Sequence, residues 1–185
     1  MHVQILSAGG IGTHVTRRIG LAANERLNLS SGRHDLFVLA GRLGLDGHDL
    51  AEGTYIGMDG VADFTAGPDG ASLFHFQKEH AGLAARIIIE PHNRAWRPGI
   101  APGIRRCDLR VADHQVAIVS FAPDTSIAPH RHPRGEEIYV LSGELHNAPM
   151  ALGPGEWHRL YPSAIHAPHA VRQTGILLLT GHLAS

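Results

Sequence analysis

The chain has 185 residues, 43% of them apolar, and a formal net charge of −1 at neutral pH. That length allows one large or two small domains with an ordinary buried core. Lys78 is the only lysine and the arginines are dispersed, so the charge pattern argues against nucleic-acid binding, which calls for a basic stripe with interleaved aromatics.

One cysteine, Cys107, cannot form an internal disulfide, which fits a reducing compartment and a structural thiol. No stretch approaches the roughly 18 apolar residues of a membrane span. The opening "MHVQILSAGGIGTH" lacks a charged leader followed by a long apolar run. The expected setting is therefore cytoplasmic, with no membrane partner.

In chain order, "DLFVLAGRL", "TYIGM", "SLFHF", "ARIIIE", "QVAIVSF", "EEIYVLSGEL", "EWHRLY" and "GILLLTGHL" are short runs rich in Val, Ile, Leu and aromatics. Gly, Pro, Asp or Asn bound each of them, which is the pattern of an all-β sandwich or barrel. Only "GLAARIII" reads as the start of a helix, and Pro91 stops it early.

An internal repeat organises these strands. "RHDLFVLAGRL" from Arg33 lies over "GEEIYVLSGEL" from Gly135, matching Gly41 with Gly143, Val38 with Val140 and Leu39 with Leu141. The same offset matches Gly53 with Gly155. The chain thus reads as one β unit twice, residues 1–80 and 81–185, with "EPHNRAWRPGIAPG" as a Pro/Gly-rich entry to the second copy.

The chemistry concentrates in the second copy. Side chains two apart on a strand share a face, so His130 and His132 of "IAPHRHPRGEEIYVLSGEL" project together while Arg131 points away. After the turn at Pro133–Gly135 the chain returns as "EEIYVL", which can set one glutamate opposite the two imidazoles. Two imidazoles and a carboxylate suit a divalent first-row metal, and "YPSAIHAPH" offers His166 as a third imidazole. At the matching positions the first copy reads within "LNLSSG", Glu136 falls on His34 and His166 falls on Phe64. The first copy is therefore expected to be metal-free.

"PHRHPRGEEIYVLSGEL" resembles the first cupin motif, and "GPGEWHRLYPSAIHAP" resembles the second. Ala164 and the lack of an asparagine after the last histidine depart from the general pattern. The wording "HRHPRGEE…YVLSGEL…HAP", with "WRPGIAPGIRRCDL" upstream, is similar to the ChrR-like cupins, which include the cupin half of zinc-dependent anti-sigma factors and diketone- or ketone-cleaving dioxygenases. The resemblance implies a double-stranded β-helix (jelly-roll) bicupin with two tandem cupin barrels. It also implies one divalent metal per chain, Fe, Zn or Ni, on His130, His132, Glu136 and His166, with Glu137 as the fallback carboxylate.

The reaction implied is cleavage of a small keto compound, a β-diketone or an aromatic hydroxyketone, by a non-haem dioxygenase. The same ligands would equally serve a zinc-holding sensor or regulator, or a metal-dependent isomerase or lyase. Arg159, Tyr139, Tyr161, Trp157 and His169 lie near the ligands in sequence and are the candidates for contacts around the metal. A small molecule and a second copy, in a homodimer, are the expected partners. No sigma factor is expected, because the helical zinc domain of the anti-sigma proteins has no counterpart in this sequence.

Overall fold

The structure is a computed structural model that describes residues 1–8, 14–79 and 85–183. It divides into two compact units, Met1–Arg94 and Ala95–Ser185. The division expected at residues 80 and 81 lies outside the described residues.

The first unit contains β1 (His2–Ala8), β2 (His14–Leu21), β3 (Arg26–Leu29), β4 (Arg33–Leu45), β5 (His48–Ala51), β6 (Tyr55–Asp59), β7 (Ala62–Lys78) and β8 (Ile87–Ile89). They form one sheet in the order β1-β2-β7-β4-β6-β8, with β3 paired to β7 and β5 to β4. The helix start read from "GLAARIII" is a strand over Ile87–Ile89, while residues 82–84 lie outside the described set. Three successive β-branched isoleucines favour the extended chain there.

The second unit begins with β9 (Trp96–Pro98), β10 (Ile104–Val111), β11 (Gln115–Phe121), β12 (Thr125–Ser126), β13 (His130–Arg131) and β14 (Glu136–Ser142). It continues with β15 (Leu145–Asn147), β16 (Met150–Leu152), β17 (Trp157–Leu160), β18 (Ile165–His166), β19 (His169–Ala170) and β20 (Thr174–Thr180). A six-stranded sheet runs β17-β14-β20-β11-β10-β9, a four-stranded sheet runs β12-β19-β15-β16, and β13 pairs with β18 alone. Strands β2 and β10 escape a search for apolar runs because "HVTRRIGL" and "IRRCDLRV" are each interrupted by an adjacent pair of arginines.

The internal repeat is visible in the backbone of each unit. Val38 receives a hydrogen bond from Gly53 N–H and donates to Thr54 O, and Val140 does the same with Gly155 and Glu156. Gly41 and Gly143 both sit at positive φ, 77° and 78°. A Cβ at either would lie 2.2 or 2.3 Å from a backbone carbonyl oxygen of the neighbouring strand, so only glycine fits the bend. The strand orders β6-β4-β7-β2 and β17-β14-β20-β11 also correspond.

Alternation selects the inward residues. Ile138 and Val140 of β14, Ile176 and Leu178 of β20, and Val119 and Phe121 of β11 form one apolar cluster in the second unit. Glu136 lies two residues before Ile138 and so shares its face.

Candidate metal centre

Four short segments bring the site together. His130 on β13 lies directly opposite His166 on β18. His132 precedes the turn, which Gly135 N–H closes onto His132 O at 3.1 Å. Glu136 is the first residue of β14. Ring centroids are 4.2 Å apart for His130 and His166, 5.0 Å for His130 and His132, and 5.4 Å for His132 and His166. One nitrogen from each imidazole lies within 4.8 Å of the other two, close enough to share a cation.

The donors fit such an ion. His130 Nδ1 is 2.9 Å from the Ala128 carbonyl oxygen, which can only accept. The proton therefore sits on Nδ1, and Nε2 keeps the lone pair a metal requires. His132 Nε2 is 2.6 Å from Glu136 Oε2, yet this nitrogen is buried and has no hydrogen bond. Close approach without bonding geometry is what two donors aimed at a common point produce. Both nitrogens of buried His166 also lack hydrogen-bond partners, and its Nε2 is 3.8 Å from Glu136 Oε1. An orphaned buried polar group costs about 1–3 kcal/mol, a cost that an ion removes. Burial pushes the His166 imidazole down to about 4, against the pull of Glu136, so it is neutral and ligand-competent at neutral pH.

Glu136 and Glu137 are both buried, on opposite faces of β14. Glu137 is held away from the imidazoles. Its Oε1 accepts from Arg159 Nη2 at 2.8 Å and from His182 Nε2 at 3.1 Å, and its Oε2 accepts from Trp157 Nε1 at 3.1 Å. Burial lowers the His182 imidazole while its bond to Glu137 opposes that shift.

The remaining residues named from sequence scatter. Residues directly opposite across β14 and β17 share a face, so Leu160 and His158 lie on the Glu136 side, and Trp157 and Arg159 on the Glu137 side with Tyr139. Tyr161 is exposed, and His169 stacks on His146 with centroids 4.7 Å apart. Burial lowers the His158 imidazole, and it stands close enough to Glu136 for that carboxylate to pull the other way. Only the Glu136–Leu160 register could have drawn it out.

The imidazoles and Glu136 line a cavity of about 140 Å³. Its walls include Ile104, Val119, Phe121, Ile138, Leu145 and Ile176. Among the described residues that line it, Arg106 is the one charged side chain outside the His/Glu group. Arg106 Nε donates to Asp108 Oδ1 at 2.5 Å and its Nη2 to Gln115 Oε1 at 3.2 Å.

The first unit has the corresponding strand pair without the donors. Leu27 faces Phe64 across β3 and β7, as His130 faces His166, and Leu29 stands two residues on, as His132 does. All three are buried in that unit's apolar cluster.

Solved structures share this architecture. A provisionally assigned dioxygenase from Nostoc punctiforme superposes with a TM-score of 0.80 at 14% identity, over 99% of this chain and 74% of that one. Protein Ylba from E. coli gives 0.76 at 16% identity, over 96% and 81%. Oxalate decarboxylase from Lactobacillus farciminis gives 0.66 at 12% identity, over 93% and 78%. At these identities the likeness concerns the fold, a cupin jelly roll. No curated protein sequence matches the chain. The sequence pattern of the ChrR cupin-like domain matches residues 84–185, more than half of the chain, and the protein belongs to that family.

Proposed function

We propose that the protein is a metal-dependent bicupin enzyme, a non-haem dioxygenase that cleaves a small keto compound. The observation that carries this reading is three orphaned or pre-oriented imidazoles and a buried carboxylate lining one largely apolar cavity. His130, His132, His166 and Glu136 are the ligands in this reading. The first unit is the metal-free copy, because Leu27, Leu29 and Phe64 fill its equivalent positions. The fold shared with the provisionally assigned dioxygenase of Nostoc punctiforme supports the choice of reaction.

A first-row divalent ion held there supplies Lewis acidity to a keto oxygen and a redox partner for dioxygen. The protein's own part is to orient and to exclude. The Ala128 carbonyl fixes the His130 tautomer, burial keeps His166 neutral, and the apolar walls keep water from the keto group. The reaction balances with dioxygen alone. One carbon–carbon bond beside a carbonyl breaks, and the two oxygen atoms are shared between the two carbonyl-containing fragments.

The test is metal analysis of protein purified without a chelating resin, followed by oxygen uptake with a panel of β-diketones and aromatic hydroxyketones. Iron or nickel near one per chain with oxygen consumption is expected. Stoichiometric zinc with no uptake across the panel would replace this reading with a zinc-holding sensor.

A further inference from the structure

Resting on the metal-centre reading above, we infer that the site takes a chelating ligand bearing one uncharged apolar group no larger than a single benzene ring, and that it discriminates against small dicarboxylates.

Three features of the cavity support this. Besides the His/Glu group, its lining includes Ile104, Val119, Phe121, Ile138, Leu145 and Ile176 from β10, β11, β14, β15 and β20, and Ile100 and Ile127 from loops. The six strand residues are buried, from 0% exposed at Leu145 to 6% at Val119, so their side of the wall is part of the packed core and resists spreading, whereas Ile100 is 76% exposed. A polar tail entering this space would leave its hydrogen bonds behind and find none in return.

The second feature is size. An apolar cavity of roughly 150 Å³ accommodates benzene, and this one measures about 140 Å³. That volume includes the space beside the donors where the chelating head must sit, so a single ring is the upper bound for the apolar group and a fused second ring exceeds it. The third feature is charge. A compact dianion such as oxalate can chelate the metal with both carboxylates, but it would bring two negative charges beside buried Glu136 into a largely apolar space, where a cation besides the metal would be needed to offset them. Arg106 is the one guanidinium in the lining, and it is already engaged by Asp108 and Gln115. Asp108 in turn accepts from Arg97 at 2.7 Å, and the two arginines hold its carboxyl below the usual range against the effect of burial. Releasing Arg106 would break a charge-assisted network, so the pocket presents no free positive partner. The shared jelly roll therefore does not carry an oxalate-type site with it.

Two measurements separate this inference from the metal reading. The first uses metal-free protein: benzene and naphthalene are titrated and followed by ligand-observed NMR. Benzene binding in the wild type, its loss in Val119→Phe and in Ile176→Phe, and no binding of naphthalene are expected. Each variant must retain the wild-type circular-dichroism spectrum, and two variants at different wall positions guard against one misfolding. Failure of benzene, or equal binding of naphthalene, overturns the inference whatever the metal does.

The second uses Co(II)-loaded protein, with the visible absorption of the ion as the readout. Benzoylacetone should bind about tenfold or more tightly than acetylacetone, on the scale of a few methylene-sized contacts in an apolar pocket. Oxalate should bind more weakly than either. Oxalate binding as tightly as benzoylacetone overturns the inference. Absence of any Co(II) spectrum, with benzene still bound, sinks the metal reading and leaves the apolar cavity standing.

Discussion

His130 and His166 face each other across the two-residue pairing of β13 and β18, with ring centroids 4.2 Å apart. The pairing itself gives little stability, since two residues of ladder are far from an independent sheet. Its effect is to fix two imidazoles side by side at the edge of the barrel, where Glu136 and His132 complete the set.

Removing either imidazole should therefore empty the site without unfolding the chain. Substitutions around a metal's ligands alone cost about 10–100-fold in affinity, so His130→Ala and His166→Ala should each lose ~100-fold or more. Metal content measured after dialysis at equal free metal checks this. Full occupancy in both variants would show that the ligands lie elsewhere.

The bound metal should also stabilise the fold. A ligand at about 100 times its dissociation constant adds about 2.7 kcal/mol. Stripping the metal with a chelator should lower Tm by several degrees, and adding excess metal should restore it. A Tm indifferent to the chelator would count against a preformed site.

The neighbouring glutamates should separate by phenotype. Glu136→Gln should abolish metal retention and leave the metal-free protein as stable as wild type or more so, because it removes a buried charge. Glu137→Gln removes the partner of Arg159, whose side chain is itself 12% exposed, and breaking a buried pair costs about 3–5 kcal/mol. Urea melts of the two metal-free variants make the comparison. Equal stability losses would overturn the division of labour.

A closed ring of hydrogen bonds in the first unit predicts a pH dependence. Arg17 Nε donates to His75 Nδ1 at 2.9 Å, and His75 Nε2 then donates to His34 Nδ1 at 3.0 Å. His34 Nε2 donates to Ser30 O at 2.9 Å, Gln77 Nε2 to Ser30 Oγ at 3.1 Å, and Arg17 Nη2 to Gln77 Oε1 at 2.8 Å. Arginine has no acceptor and a backbone carbonyl no donor, so the tautomer of each imidazole is assigned and both histidines are neutral. Burial lowers both imidazoles, His75 well below the usual value, and Arg17 pushes in the same direction. Below about pH 6.5 the unfolded chain takes up protons that the folded unit refuses, so stability falls as pH falls through and below that value. His75→Gln should flatten this slope between pH 7 and pH 5 in melts of metal-free protein. An unchanged slope would remove the ring from the acid response.

Much of this was written in the sequence. Local alternation and turn glycines determined the all-β class, and the matched pairs Gly41/Gly143 and Gly53/Gly155 marked backbone bends that no other residue fits as well. The spacing of His130 and His132 made them neighbours on one face, because a strand returns to the same side every second residue. Which side is the inside, however, depends on what the sheet packs against, and no run of residues states that. Only the tertiary structure put Glu136 inward and Glu137 into the grip of Arg159 and Trp157. It also set His158 near the imidazoles, and gave His34 a place in a buried ring. Period is a property of the strand and can be read in one dimension. Facing and register arise between strands distant in the chain, where packing and hydrogen bonding decide them.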